Sequence, residues 1–165
     1  MARITLSVDG TAEFDRLFKR YDAVFDDLTD IWPGVREKLW EIEKEQFSSE
    51  GGAGRSGRWK PLSERYKARK IKKYGNKPIL QATGDLYRSL TGPGPHTVYR
   101  PGKKDLAIGS NLRYAIHHYR GGPKLPKREP ISLGPVQREN LMKTVQIELV
   151  KQLRKGRGYI APGER

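Results

Sequence analysis

The spacing of hydrophobic residues constrains the fold of this chain more than any other feature. Residues Arg3–Val8 alternate apolar and polar side chains, as a half-buried strand does. From Thr11 the apolar residues follow a helical period instead. Strand-like spacing returns only at His96–Ser110, where two short stretches flank a Pro-Gly-Lys-Lys turn. Because strands and helices are segregated, the pattern predicts an α+β fold. Its small antiparallel sheet would combine the N-terminal strand with this hairpin and pack against several helices.

Capping residues predict where the helices begin and end. Ser, Thr and Pro favour the N-terminal end of a helix, whereas Gly favours the position after its C-terminal end. The helix starting near Ser63 should stop near Gly75, and the last helix should stop before Gly156. The expected N-terminal positions are, in chain order, Thr11, Pro33, Ser63, Thr83 and Pro135.

Two polar, glycine-rich segments interrupt these elements, at residues 48–60 and 120–130. Each carries few apolar anchors, so we expect it to be mobile or to order only against a neighbouring molecule. The stretch YAIHHY, residues 114–119, is interpreted as an elbow that turns the chain out of the sheet and projects the second segment towards that neighbour. Together these features predict a single domain over residues 1–155, followed by a flexible basic tail at 156–165.

Charge is distributed unevenly along the chain. Residues 1–47 carry 7 Lys or Arg and 11 Asp or Glu, a net charge of −4, whereas residues 48–165 carry 26 and 8, a net charge of +18. The basic part could face nucleic acid. Alternatively, the acidic face of one copy could meet the basic face of the next in a head-to-tail ring. Composition alone leaves both interpretations open.

Catalytic and metal-binding patterns are not found in the sequence. The chain has no cysteine, which excludes disulfide frameworks and cysteine-based zinc sites and fits assembly in a reducing cytoplasm. His117 and His118 are adjacent, which is poor chelating geometry on a strand or a helix, and no HExxH motif adds His96 to them. No GxSxG motif or phosphate-binding loop is present. We therefore expect no enzymatic activity, no metal and no cofactor. No apolar run approaches the roughly 20 residues of a membrane span, so no membrane association is expected.

The loops and the stretch between them supply candidates for docking onto other molecules. Arg128 is expected to anchor the second loop through a bidentate contact to a carboxylate. The predicted interface residues are Arg55, Arg58, Trp59, Lys60, Tyr114, His117, His118, Tyr119, Arg120 and Arg128.

The basic helix after Ser63 is a candidate for contact with DNA. Tyr66 and Tyr74 flank its dense run of cations, and such a combination can follow a phosphate backbone. No motif that reads bases is present, so any contact should be independent of sequence and sensitive to salt. The residues that could face DNA are Lys67, Arg69, Lys70, Lys72 and Lys73.

Four segments, taken in order, resemble the phage virion morphogenesis family of tail-completion or neck proteins. The resemblance covers about Phe47 to Leu153. It includes a glycine-rich loop followed by W-x-P-L-S and a basic stretch, and an I-L-x-x-T-G-x-L-x-x-S element. A strand that ends in I-G-S then leads into Y-A-x-x-H, an aromatic and a glycine, and an L-P-x-R segment precedes the final helix.

The resemblance implies a virion structural protein at the head–tail junction, assembled in the host cytoplasm. Such subunits form rings, commonly hexameric, which cap the tail or link it to the head. The implied partners are other copies of the chain and neighbouring tail-terminator, tail-tube or head-connector proteins. A positively charged channel in such a ring could also contact packaged DNA non-specifically, through its phosphates. The alternative from the residues themselves is a free, sequence-independent nucleic-acid-binding protein that uses the basic segment at residues 58–77.

Overall fold

The computed structural model describes residue 22 and residues 24–155. The predicted N-terminal strand, most of the first predicted helix and the tail at 156–165 lie outside the described residues. A 3-10 helix at Thr29–Ile31 leads into the first long helix. The other elements are α1 (Trp32–Ser48), α2 (Glu64–Tyr74), α3 (Asp85–Thr91), β1 (Thr97–Pro101), β2 (Leu106–Ser110), α4 (Arg113–Arg120) and α5 (Pro135–Lys155). The predicted α+β class is confirmed.

Most of the predicted helix ends agree with the structure. Pro33 lies in the first turn of α1, and Gly75 follows the end of α2 in the positive-φ conformation that glycine tolerates best (φ 78°). The predicted N-cap of α3 is wrong by one residue, because Gly84 (φ 82°) holds that position. Thr83 still contributes there, since its hydroxyl donates a hydrogen bond to the Asp85 carboxylate at 2.7 Å.

The hairpin predicted at His96–Ser110 is present. β1 and β2 pair antiparallel in a register that matches Thr97 with Ser110 and Pro101 with Leu106. The turn closes with a 2.8 Å hydrogen bond from the Gly102 amide to the Asp105 carbonyl. Within the described part of the chain, the sheet has these two strands only. None of the described helices is both long enough and apolar enough to cross a bilayer.

Two hydrophobic clusters lie at opposite ends of α1. Ile31, Trp32 and Val35 form the first at the start of the helix, where the apolar side of α5 packs against them. Phe47 belongs to the second, at the end of the helix; the other members are Trp59, Ile79, Leu86 and Leu90. Since α1 has 17 residues, the two ends are about 25 Å apart.

Between the clusters, α1 buries a carboxyl group. Glu43 is only 5% exposed, and one of its carboxyl oxygens has no hydrogen-bond partner. Burial raises the pKa of Glu43 to about 8. The protein therefore carries this side chain largely uncharged at neutral pH, and the consequence for stability is testable.

Candidate interaction surface

The first loop closes on itself over an indole ring. Directly after α1, Glu50 and Gly51 both adopt positive φ, and the Gly51 amide donates to the Gln46 carbonyl at 2.8 Å. A Cβ at Gly51 would lie 2.5 Å from the Trp59 ring, so only glycine allows the chain to pass this close. The Trp59 amide returns a 2.7 Å hydrogen bond to the Glu50 carbonyl. The loop is thus built around Trp59.

Trp59 is a core residue, so its predicted docking role is wrong. It is 5% exposed and meets Phe47 edge-to-face, with ring centroids 5.4 Å apart. Its indole nitrogen donates to the backbone carbonyl of Glu129 at 3.0 Å, and the Gln46 side chain donates to the same carbonyl at 3.1 Å. The hydrophobic ring and its polar nitrogen are therefore both satisfied inside the chain.

Arg128 holds the second loop against the first. Its guanidinium donates to the backbone carbonyls of Lys60 at 2.9 Å and Pro61 at 3.1 Å, and its amide donates to the His118 carbonyl at 2.8 Å. The predicted contact to a carboxylate is therefore wrong, because Arg128 donates to the backbone carbonyls of Lys60 and Pro61 instead. The side chain is 4% exposed, and burial lowers the pKa of its guanidinium.

The two loops consequently order each other within one molecule. The Ser56 hydroxyl adds a hydrogen bond to the Glu129 carboxylate, and the Arg55 amide donates to the Ser132 hydroxyl at 3.1 Å. The expectation that these segments order only against a neighbour is thus wrong. Residues 120–130 fold back on residues 48–60 rather than extending away, because Arg128 and Glu129 supply contacts that a count of apolar anchors overlooks.

The stretch interpreted as an elbow is helix α4. It begins after Leu112, which packs on the Phe47 cluster, and it ends at Gly121, whose amide donates to the His117 carbonyl at 2.8 Å. The helix leaves several large side chains exposed on the surface. Among the predicted interface residues, the exposed ones are Arg55, Arg58, Lys60, Tyr114, His117, Tyr119 and Arg120.

The histidines occupy different environments. His117 is exposed, whereas His118 is half-buried and meets Tyr114 edge-to-face at 6.1 Å. Burial, together with the charges of Arg128 and His117, lowers the pKa of His118. His96 contacts Asn111 at 3.0 Å. Within residues 22 and 24–155, no three His, Cys, Asp or Glu side chains are grouped so that they could hold a metal ion.

The basic helix α2 exposes most of the cations considered for DNA. Lys67, Arg69, Lys72 and Lys73 are exposed, and the Arg69 guanidinium lies 5.3 Å from the Tyr66 ring centre. For Lys70 the predicted contact with DNA is wrong. It is 5% exposed and donates to the backbone carbonyls of Lys77 and Pro78, the latter at 2.7 Å. Lys70 therefore ties α2 to the segment that follows it and is not available to a phosphate.

A cleft lies between α2 and α4, beside the Phe47 cluster, with a volume of about 930 Å³. We refer to it as the α2–α4 cleft. Its apolar lining includes Leu62, Tyr66, Leu80, Tyr114 and Leu125. The sequence did not indicate this cleft, because residues from five separate segments form it. The only signal for it was the alternation of prolines, tyrosines and bases in the segments on either side.

Comparison with known proteins shows which family the chain belongs to. No curated protein and no solved structure matches the chain. A family model does match, and it spans residues 9–150, which includes both loops, the hairpin and most of α5. The protein therefore belongs to the phage virion morphogenesis family and is a component of phage particle assembly.

Proposed function

We propose that the protein is a structural subunit of the head–tail junction, a tail-completion or neck protein that works as part of a homo-oligomeric ring. The family match carries the proposal, because it assigns the chain to virion assembly. The role is architectural rather than catalytic. Its partners are other copies of the chain and the neighbouring tail-terminator, tail-tube or head-connector proteins.

The exposed surface of α4 supports a docking role. Tyr114, Ile116 and Tyr119 are each 40–46% exposed, and His117 and Arg120 lie beside them in the sequence. Aromatic and arginine side chains are enriched where proteins meet, since they supply large contact areas and directional hydrogen bonds. The two interlocked loops give this surface a rigid support.

The uneven charge supports head-to-tail packing. Residues 1–47 carry −4 and the remainder +18, so opposite charges can face each other when copies repeat around an axis. A contact between two different surfaces generates a closed ring when the rotation between copies closes. Such a ring has a basic surface available for the packaged genome.

Phage particles produced without this protein test the proposed role. We expect full heads and tails that fail to join, so electron microscopy should show them separately and infectivity should fall by several orders of magnitude. Supplying the wild-type protein in trans should restore joined particles. Tails of aberrant length would assign the protein to tail completion rather than to joining. Normal infectious virions lacking the protein would contradict the proposal.

A second function, sequence-independent DNA binding, is favoured by the exposed cations of α2. Replacing Lys72 and Lys73 with Glu should weaken binding to duplex DNA and make its dependence on the logarithm of salt concentration shallower by about 2, since each phosphate contact contributes about 0.9. The control replaces Arg138 and Lys155, two exposed cations of α5, in the same way. Equal binding by both variants, measured by fluorescence anisotropy, would count against α2 as the DNA site.

A further inference from the structure

The α2–α4 cleft has the size and lining of a binding site. At about 930 Å³ it lies near the upper end of the range for clefts that bind ligands. Its walls expose aromatic rings, since Tyr66 is 41% and Tyr114 40% accessible. Apolar surface of this kind is stabilised when a partner covers it.

The charge around the cleft is positive and lacks a matching carboxylate. Arg128, which lines the cleft, is buried and is hydrogen-bonded only to neutral carbonyls. Lys60 and Lys124 are exposed at its rim. Among the described lining residues, the one acid is Asp85, which already pairs with Arg88 at 2.6 Å. The exposed ammonium groups of Lys60 and Lys124 favour an occupant that carries carboxylates.

The chain itself contains a segment with the complementary chemistry. The apolar stripe that the sequence predicts as a helix runs from Phe14 to Leu28. At its described end Phe25 is 53% exposed, so this side chain of the stripe is available to a second molecule. Residues 22–30 hold four acids and no base, namely Asp22, Asp26, Asp27 and Asp30, and all four are exposed. Two of them make surface contacts within the chain, since Asp26 pairs with Lys104 at 3.0 Å and Asp27 lies 4.0 Å from the Lys103 ammonium. Exposed pairs of this kind contribute little and can exchange for a partner's cations.

This segment and the cleft lie at opposite ends of the molecule. Leu28 packs on the cluster at the start of α1, whereas Ile79, which lines the cleft, packs with Phe47 at its end. The length of α1 separates them by about 25 Å. Complementary surfaces at opposite ends favour a contact between copies, in which each molecule gives its segment to the next and receives one in turn.

We infer that the α2–α4 cleft receives the acidic, amphipathic segment at residues 11–27 of a second copy, with its apolar stripe against Tyr66 and Tyr114 and its carboxylates near Lys60 and Lys124. The inference rests on the proposed ring and specifies the contact that closes it. The contact is heterologous, so it propagates from one subunit to the next.

Cysteine crosslinking tests this contact cleanly, because the chain has no native cysteine. The full-length variant with Phe18→Cys and Tyr114→Cys is treated with a short bismaleimide, both as concentrated purified protein and on isolated tails. We expect a ladder of covalent multimers on a denaturing gel. A crosslink within one chain would mean that the segment binds its own cleft, and this would overturn the inference. A gel without multimers in either preparation would overturn it as well.

Two matched controls make the result specific. Pairing Phe18→Cys with Met142→Cys, which lies on the exposed side of α5, should give at least tenfold less multimer. Adding Lys60→Glu and Lys124→Glu to the crosslinking variant should reduce the ladder about tenfold, whereas Lys72→Glu and Lys73→Glu should leave it unchanged. An equal loss in both pairs would show that general charge, not the cleft, drives the contact. Because this readout does not depend on infectivity, a negative result leaves the proposed junction role standing.

Discussion

Replacing Trp59 with Ala should destabilise the protein by about 3–5 kcal/mol, the largest effect that we expect from any single substitution in the loops. The indole is almost fully buried, packs edge-to-face on Phe47 and donates to the Glu129 carbonyl. Truncation would therefore leave a cavity and remove one of the two donors to the Glu129 carbonyl, at the point where the two loops meet. Urea unfolding followed by circular dichroism measures the change.

Two variants separate the contributions to this effect. Trp59→Phe retains a ring against Phe47 but loses the indole donor, so we expect a smaller loss of about 1–2 kcal/mol. Tyr119→Ala, at a side chain 46% exposed, should change the free energy of unfolding by no more than about 0.5 kcal/mol. If Trp59→Ala unfolded at the same urea concentration as Tyr119→Ala, Trp59 would not be part of the folded core. The predicted docking role of Trp59 would then be the better interpretation.

The sequence predicted the elements whose signals are local. A proline in the first turn located α1, glycine located the end of α2, and alternating residues around Pro-Gly-Lys-Lys located the hairpin. These signals act over a few residues, so they can be read without knowing the rest of the fold. The one-residue error at α3 arose because Gly84, with φ 82°, competes with Thr83 for the cap position.

The errors at the candidate surface have a different origin. Gly51 and its neighbours were interpreted as mobile because glycine is flexible in isolation, yet Gly51 is required by the approach of Trp59, eight residues later. The sequence predicts a carboxylate partner for Arg128 and a DNA-facing position for Lys70, because cations are rarely buried without a charged partner. Their acceptors are backbone carbonyls that only the tertiary structure brings within reach. Since every residue has a backbone carbonyl, the sequence does not indicate which one will accept a hydrogen bond.

The α2–α4 cleft illustrates the same limit for function. Its walls were each predicted separately, as a docking loop, an elbow or a basic helix, and nothing in the sequence indicated that they meet. The cleft exists because Arg128 joins the two loops and Lys70 holds α2 against the segment that follows it. The residues of an interaction surface can thus be proposed from composition, whereas its shape depends on these buried cations.

Replacing Glu43 with Gln should make the protein more stable, by about 3 kcal/mol at pH 7. In the folded protein burial holds the pKa of this carboxyl at about 8, compared with 4.5 when it is free in water. The unfolded chain therefore releases a proton above pH 4.5 that the folded chain retains. The stability associated with this group is fully present below pH 4.5 and declines as the pH rises. Between pH 4.5 and about pH 8 the loss amounts to about 1.4 kcal/mol per pH unit, and it is complete above about pH 8.

Glutamine has nearly the same shape as glutamic acid but no proton to release. The difference in the free energy of unfolding between wild type and Glu43→Gln should therefore depend on pH. We expect the two free energies of unfolding to be similar at pH 4.5 and to separate steadily up to about pH 8, as measured by urea denaturation at half-unit intervals. Glu41→Gln, on the exposed side of the same helix, is the control, since its surface pair with Lys38 contributes little. Parallel curves for wild type and Glu43→Gln would mean that the Glu43 carboxyl is ionised in the folded protein. Water or a cation would then have to reach it, between two clusters that otherwise exclude solvent from α1.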